Sequence, residues 1–515
     1  MYALTAATLL ATTTLLPLLL SLGWVIYTLY FRPLSKYPGP LLAKVTTLYA
    51  TYHGWKGDIH LDMHRAHARY GPYVRCKPNS VLFNTAEGLH DIYKRPGMAI
   101  KSKVYSPMVH RAPNTFTIRG GKAHARRRRI MAQGLSDKAL RGYEPRIMVH
   151  VNKFCQSLGS SLEPKNMAVW CNYLSFDIMA DVVFSAKYVL LGTERFRYVL
   201  DAIDVSNVRM GTLVQAGGWA SWKRLEKAVF QKSIEARNRF VRFVTRVVTV
   251  RIGKEKDVLE DDIPDLFSRL RDAHDPDTGD KLTVDEIAAE STTLIVAESD
   301  TSSTSMCSAL FYLAHNPAAR ARATEEVRAK FTHYSDVCTG PALSSCQYLR
   351  ACIDEAFRMS PSVGTCLYRE LVSQDATIDG HAIPAGYDVG TGVYAIHHSP
   401  TYFTDPFVYR PERWIPGEGD TTHESVERGH SVLNPFSVGV RSCLGKAMAV
   451  MELQLAVAAV LASYDFELAQ GKLGQVGAGQ ANLGYGRHRS SEYQLYDHIT
   501  SQKHGPWLVF KARKY

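Results

Sequence analysis

The amino-acid sequence predicts a mainly α-helical protein with small β-sheets. In this α+β fold, one large helical domain follows an N-terminal transmembrane helix. Three observations predict it. From about Val149 to Arg251, apolar residues recur at helical periods between short loops, with little strand signal. The stretch from Thr283 to about His315 reads as one helix of around 30 residues, enough to cross a whole domain. Nothing charged occurs before Arg32, and Ala3 to Phe31 is mostly Leu, Ala, Thr, Val and aromatics.

Composition narrows the class. A length of 515 residues admits several domains, and one large helical domain fits as well. Hydrophobic residues make up 46% and charged residues 21%, so the chain has the means to bury a sizeable core. A net charge of +12 admits nucleic acid, an anionic membrane surface or acidic proteins as partners. The basic residues are widely spread, with no zinc-finger spacing and no aromatic-basic pattern, which argues against nucleic acid. The nine cysteines are odd in number and lack any Cys-x-x-Cys pair. They read as reduced core thiols in a reducing compartment, with one exception.

The N-terminal stretch, residues 1–31, is long enough to cross a bilayer, with room for a kink at Pro17. Trp24, Tyr27 and Tyr30 sit where an interfacial belt forms, and Arg32, Lys36 and Lys44 place the remainder in the cytosol. A cleaved signal peptide is the alternative; the absent basic n-region and the length of the apolar run count against it. Residues 32–44 contain Pro38-Gly39-Pro40, a stiff hinge. Residues 45–515 form the main domain.

Within that domain, Tyr73 to Asn84 has strand character around a turn at Pro78-Asn79. Residues 101–121 are loop-like. His124 and Arg128 are four apart and share one helix face. Their neighbours in the run Arg126 to Arg129 suit an exposed basic patch. Thr283 and Glu286 form a capping box at the head of the long helix, and Asn316-Pro317 closes it. At the helix centre, Asp300 stands beside Thr301 in an apolar context. That pairing suits a proton relay; a threonine bonding back to its own helix is the alternative. Ser344 and Gln347 predict a second capping box. It opens an amphipathic helix whose Glu355 and Arg358 lie off the apolar stripe. Asp379-Gly380 signals a tight hairpin. Arg410-Pro-Glu-Arg413-Trp follows downstream, and Glu418 to Gly429 is a polar loop.

The most informative stretch is Phe436-Ser-Val-Gly439-Val-Arg441-Ser-Cys443-Leu-Gly445, just before an apolar helix. A thiolate at a helix N-terminus is favoured by amide N–H groups and the helix dipole. Flanking glycines let a flat group approach the backbone, and the arginine reaches an anionic substituent on that group. Thiolate, close approach and cation are what ligation of haem iron by cysteine needs.

This stretch resembles the haem-binding signature of the cytochrome P-450 family, and all its fixed residue types are present. The other motifs follow the family's order, from anchor and Pro-Gly-Pro hinge to the cysteine. The resemblance implies the family's helical domain around a buried haem b, with Cys443 as axial iron ligand. Phe436, Gly439 and Arg441 belong to the same cofactor-binding loop. By the same resemblance, His124, Arg128 and Arg369 hold propionates, although Arg369 by itself also reads as a surface residue. Glu355, Arg358 and Arg413 form a structural network, and Asp300 and Thr301 deliver protons. The chain departs from the family at Glu298, where a glycine is usual. Glu298 either turns away from the oxygen groove or joins the proton path.

The activity so implied is monooxygenation of an apolar small molecule with O2. The tail, similar to fungal members, points to a secondary metabolite: a polyketide, terpenoid or alkaloid. The sequence after the last helix is too short for a fused reductase, so electrons come from a separate NADPH-cytochrome reductase, with cytochrome b5 as a second donor. The location implied is the endoplasmic reticulum membrane, single-pass, with the catalytic domain on the cytosolic face. Two alternatives stay open: a haem-thiolate enzyme that rearranges or couples its substrate without oxygen insertion, and a non-catalytic haem or electron-transfer protein.

Overall fold

The computed structural model describes residues 15–109, 112–253, 265–374 and 376–513. Eight helices matter for the site: α1 (Gly121–Gln133), α2 (Asp137–Leu158), α3 (Met167–Phe184), α4 (Tyr198–Ala216), α5 (Gln231–Gly253), α6 (Val284–His315), α7 (Gln347–Met359) and α8 (Lys446–Ser463). Helices α3 and α8 are apolar on nearly every side and mostly buried. Both pack on α6, and the main core forms around that trio.

Helix α6 begins at the capping box. Thr283 Oγ1 accepts from the Glu286 amide at 3.3 Å, and Glu286 Oε2 accepts from the Thr283 amide at 2.9 Å. Its C-terminal half buries many hydroxyls for a core helix. The serines and threonines find partners within the helix: Thr304 donates to the Asp300 carbonyl at 2.8 Å, and Ser308 to the Thr304 carbonyl at 2.8 Å.

The strands are short. A five-stranded sheet runs β1 (Tyr73–Lys77), β2 (Ser80–Phe83), β8 (Asp388–Gly390), β5 (Arg369–Leu371), β3 (Ala99–Lys101). Only β2 and β8 are parallel; the other pairs are antiparallel. Strands β6 (Thr377–Ile378) and β7 (His381–Ala382) close over Asp379-Gly380, both left-handed as the two-residue turn requires. A three-stranded sheet joins β4 (Lys165–Asn166), β12 (Trp507–Ala512) and β9 (Tyr464–Leu468). The hairpin β10 (Leu495–His498)–β11 (Thr500–Lys503) lies against α4 and α6.

The N-terminal expectation falls partly outside the described residues, which begin at Leu15. A helix spans Leu15–Phe31, and all its leucines but Leu29 are exposed. Its C-terminal end is fixed to the main domain. The fully buried Arg75 donates to the Thr28 carbonyl at 2.9 Å, and the Arg75 amide donates to Pro38 O at 2.8 Å. A Cβ on Gly39 would stand 2.4 Å from the Arg75 carbonyl oxygen, so the hinge glycine is required by packing.

Three expectations are corrected. The stretch Glu418 to Gly429 is not all loop: Thr422 caps a helix over His423–Val432. Ser344 and Gln347 form no capping box. Pro341 draws Ser344 into its own short helix, Pro341–Ser344, and Cys346 takes the cap position of α7. The free amides of α7 are capped from elsewhere: Glu326 accepts from Tyr348 N at 3.0 Å and Leu349 N at 2.8 Å. The arginine run is not a free basic patch either. Arg127 is buried against Glu286 and Glu290, and Arg129 grips Asp275 with two bonds of 2.9 Å. Arg126 donates to the Lys281 carbonyl at 3.0 Å. Acids from residues 275–290 fold back onto α1 and engage its charges.

Candidate active site

Local geometry explains the residue types of the cysteine loop. The Cys443 amide donates to the Phe436 carbonyl at 2.8 Å, closing the loop, and the Ser442 amide donates to Gly439 O at 3.0 Å. Gly439 has φ +75°, and a Cβ there would lie 2.0 Å from the Tyr93 carbonyl oxygen, so no other residue fits. The Phe436 ring meets Phe357 edge-on at 5.2 Å. Helix α8 starts directly after Gly445, whose own amide bonds the sulfur. Cys443 is exposed on the wall of a cavity of about 590 Å³. Burial and the Glu298 carboxyl push its thiol up to about 11, while the Gly445 amide, Arg128 and Lys446 act the other way. A coordinated metal ion deprotonates such a thiol outright.

The same cavity has a cationic rim. Lys101, His124, Arg128, Arg369 and Arg441 all line it. The hydrogen bonds of the three arginines run to carbonyl oxygens and, from Arg128, to the Ser442 hydroxyl. Arg441 donates to Ile118 O at 2.7 Å and Arg119 O at 2.8 Å; Arg128 donates to Ser442 O at 2.6 Å. Arg369, only 3% exposed and so no surface residue, donates to Leu367 O and Tyr368 O at 3.2 Å. Among the described residues none of the five pairs with a carboxylate. The consequence is electrostatic strain. Burial, then Arg369 and Arg441, drives Lys101 well below its ordinary value. Burial, then Arg441 and Arg128, lowers His124 to about 4, and burial with Arg369 lowers Arg441 to about 10. The field drives His124 and Lys101 toward their neutral forms, and the three arginines, held there without counter-charge, call for an anionic ligand. A flat apolar group with two carboxylates, above a thiolate, meets that demand, so the residues present fit haem b.

Opposite lies the middle of α6. Thr301 is on the cavity wall, and its hydroxyl donates to the Ala297 carbonyl at 2.5 Å. Asp300 is not on that wall. It is 6% exposed, accepts from Asn207 Nδ2 at 3.0 Å and from the Thr500 hydroxyl, and lies 3.9 Å from Lys503 Nζ. Glu298 points to the cysteine side. Its Oε2 lies 3.4 Å from where a Gly445 Cβ would be, and its Oε1 accepts from Ser302 Oγ at 3.0 Å. It lies against the carboxyl of Glu452, buried within α8. Burial raises both groups, Glu452 well above its usual range. Two carboxyls in one dry site do not both ionise, so this pair holds a proton.

The structure brings Glu355, Arg358 and Arg413 together without solvent. Glu355 Oε1 accepts from Arg358 Nη2 and Arg413 Nε, both at 2.9 Å, and from the Arg410 amide at 3.1 Å. Its Oε2 accepts from Arg358 Nε at 2.9 Å and Trp414 Nε1 at 3.1 Å. Arg358 continues to the carbonyls of His397 and Pro406, each at 2.8 Å.

Sequence reasoning missed Lys101, Asn207, Glu452, Thr500 and Lys503. Each lies in a segment with no motif and becomes relevant only through a contact far along the chain.

A helical fold wrapped around a cysteine loop, facing an apolar cavity rimmed by unpaired cations, defines a haem-thiolate protein. Comparison with known proteins agrees. Residues 37–475 match the family model for cytochrome P450. The cytochrome P450 monooxygenase AKT7 of Alternaria alternata is 44% identical over 497 residues, covering 95% of this chain and 94% of that protein. The monooxygenase poxM of Penicillium oxalicum is 42% identical, covering 95% and 92%, and atnE of Emericella nidulans 40%, covering 94% and 93%. A crystal structure of a cytochrome P450, CYP102L1, superposes with a TM-score of 0.69 at 21% identity, covering 88% of this chain and 94% of that one. The chain belongs to the cytochrome P450 family; it is a monooxygenase whose cofactor is haem b.

Proposed function

We propose that this monooxygenase oxidises an apolar small molecule of secondary metabolism, a polyketide, terpenoid or alkaloid. Its electrons come from a separate NADPH-cytochrome reductase, with cytochrome b5 as a second donor. The observation that carries this reading is the cavity of about 590 Å³, whose wall is mainly apolar and which opens directly onto Cys443. Residues 1–31 serve as the anchor, 32–44 as the hinge and 45–515 as the catalytic domain on the cytosolic face of the endoplasmic reticulum. The exposed leucines of Leu15–Phe31 support the anchor, because water would not leave such a surface uncovered.

Bound haem supplies the activation of dioxygen and the oxygen insertion. The protein's own residues do the rest. Cys443 ligates the iron from a loop that the Phe436 carbonyl and Gly439 hold in shape. His124, Arg128, Arg369 and Arg441 pair with the propionates, relieving the mutual repulsion of the rim. Thr301 holds its hydroxyl at the cavity wall against the Ala297 carbonyl, and Asp300 supplies protons from behind. The Glu355–Arg358–Arg413 network fixes the segment leading into the cysteine loop.

Reconstitution tests the reading. Membranes bearing this protein and an NADPH-cytochrome reductase will convert the metabolite that accumulates in a deletion strain to a product one oxygen atom heavier. An unchanged or merely rearranged metabolite would refute it. The rim makes its own prediction. Arg441→Leu removes a charge-assisted pair of about 1.5–3 kcal/mol, so haem will transfer to a scavenger globin roughly ten- to a hundred-fold faster. Transfer at the wild-type rate would take Arg441 out of the propionate site.

A further inference from the structure

We propose that Thr500 is the hydroxyl through which Asp300 passes protons into the cavity. It rests on the monooxygenase reading and adds to it a residue from the C-terminal hairpin. Asp300 is shut off from the cavity, while Thr500 and Asn207 line it. Both touch Asp300. The Thr500 hydroxyl donates to Asp300 Oδ2, and Asn207 Nδ2 donates to Oδ2 at 3.0 Å and to Thr500 Oγ1 at 2.9 Å. Thr301 does not make this link, because its own hydroxyl is turned to the Ala297 carbonyl.

The hairpin is built to hold Thr500 there. A single residue, Ile499, separates His498 from its partner Thr500, and it adopts φ +86°. A β-branched residue in that region is strained, and such strain persists only where the surroundings impose it. They do so here. Asp497 Oδ1 accepts from the Ile499 amide at 3.1 Å, and the Ser501 amide donates to Ser362 O at 3.0 Å. Thr304 Oγ1 on α6 donates to the Ser501 carbonyl at 3.2 Å. The result presses one hydroxyl between a buried acid and the cavity.

Behind Asp300 stands a buried cation. Lys503 Nζ stands 3.9 Å from Asp300 Oδ1, held by Asn172 Oδ1 at 2.8 Å and Ser303 Oγ at 3.0 Å. Half-buried Asp204 on α4 lies beyond, its carbonyl accepting from Gln502 at 2.6 Å. Burial and the nearby Asp300 push the Asp204 carboxyl up to about 7, a value suited to taking protons from neutral water.

The transfer balances. Burial raises the Asp300 carboxyl against the pull of Lys503; once protonated, Asp300 gives that proton to Thr500 Oγ, and the Thr500 hydroxyl proton turns from Oδ2 to the proton-consuming reaction in the cavity. Thr500 ends unchanged, and Asp300 is left a carboxylate stabilised by Lys503. Asp300 then recovers a proton originating in solvent, which closes the cycle.

The test uses the holoenzyme with its reductase, following NADPH oxidation in air without added substrate. Thr500→Val is expected to slow it roughly ten-fold or more, as is Asp300→Asn, while Thr500→Ser stays within about two-fold of wild type. Infrared spectra of the resting protein give a second readout. The carboxylic C=O band lost in Asp300→Asn should shift in Thr500→Val and remain in place in Thr500→Ser. A Thr500→Val enzyme at wild-type speed with an unmoved band overturns the proposal, and so does a serine variant as slow as the valine one. If the valine variant fails to assemble, Thr500→Ala carries the same expectation. A normal thiolate-type carbon-monoxide band in each variant separates failure here from failure of the haem-thiolate assignment.

Discussion

Cys443→Ser will abolish the thiolate-type Soret band of the reduced carbon-monoxide complex and reduce oxygen insertion to background. A serine hydroxyl is not ionised at neutral pH and donates far less electron density than a thiolate, whose push favours O–O cleavage. The rest of the site is untouched. The loop still closes through the residue 443 amide and the Phe436 carbonyl, and Arg128, Arg369 and Arg441 still face the cavity. Haem is therefore retained in part while the band is lost. That combination distinguishes loss of the ligand from loss of the site, and folding stability should change by no more than about 0.5 kcal/mol. A persistent thiolate-type band in the serine protein would show that another residue holds the iron.

How much of this site was legible from the sequence depends on how local each requirement is. The cysteine loop was legible because its demands lie within ten residues: a left-handed glycine, an amide-to-carbonyl closure, a helix start. The expected pairing of Asp300 with Thr301 had the right residues but could not show their directions. Helical geometry turns neighbours to different faces, and only Thr301 meets the cavity. Thr500 and Lys503 approach Asp300 from about 200 residues away, and no local pattern encodes that. The arginine run misled for a related reason. Its charge looked solvated until the acids at Asp275, Glu286 and Glu290 came back to it. The false capping box shows a nearby proline overriding a motif, with Glu326, more than 20 residues upstream, supplying the cap instead. Glu298 was readable as a departure from the family pattern. Its destination beside Glu452 depended on how α6 crosses α8.

Glu355→Ala will be the most destabilising single change outside the cysteine loop. Five donors converge on this carboxylate, and neither Glu355 nor Arg358 is exposed at all. Removing it leaves two buried guanidinium groups and an indole N–H without their acceptor, a loss of about 3–5 kcal/mol. Against a total stability of about 5–15 kcal/mol, that is a large fraction of the margin. The damage should reach the haem, because Arg413 and Trp414 anchor the chain that leads into residues 436–445. Loss of the thiolate-type band should therefore accompany the fall in melting temperature. The pH dependence has a definite sign. Burial pushes the Glu355 carboxyl up, but Arg358 and Arg413 more than offset it, so its folded value is below the usual 4.5. A depressed carboxylate contributes stability that is full above its unfolded value and lost as pH falls through the folded one. Wild type should accordingly lose stability in acid below about pH 4.5, and Glu355→Gln should lack that component of the loss. Arg358→Lys separates charge from geometry: lysine keeps the charge but cannot bond both Glu355 oxygens and the His397 and Pro406 carbonyls from one planar group. It should fall most of the way toward the alanine variant. A lysine protein as stable as wild type would reduce the network to simple charge neutralisation.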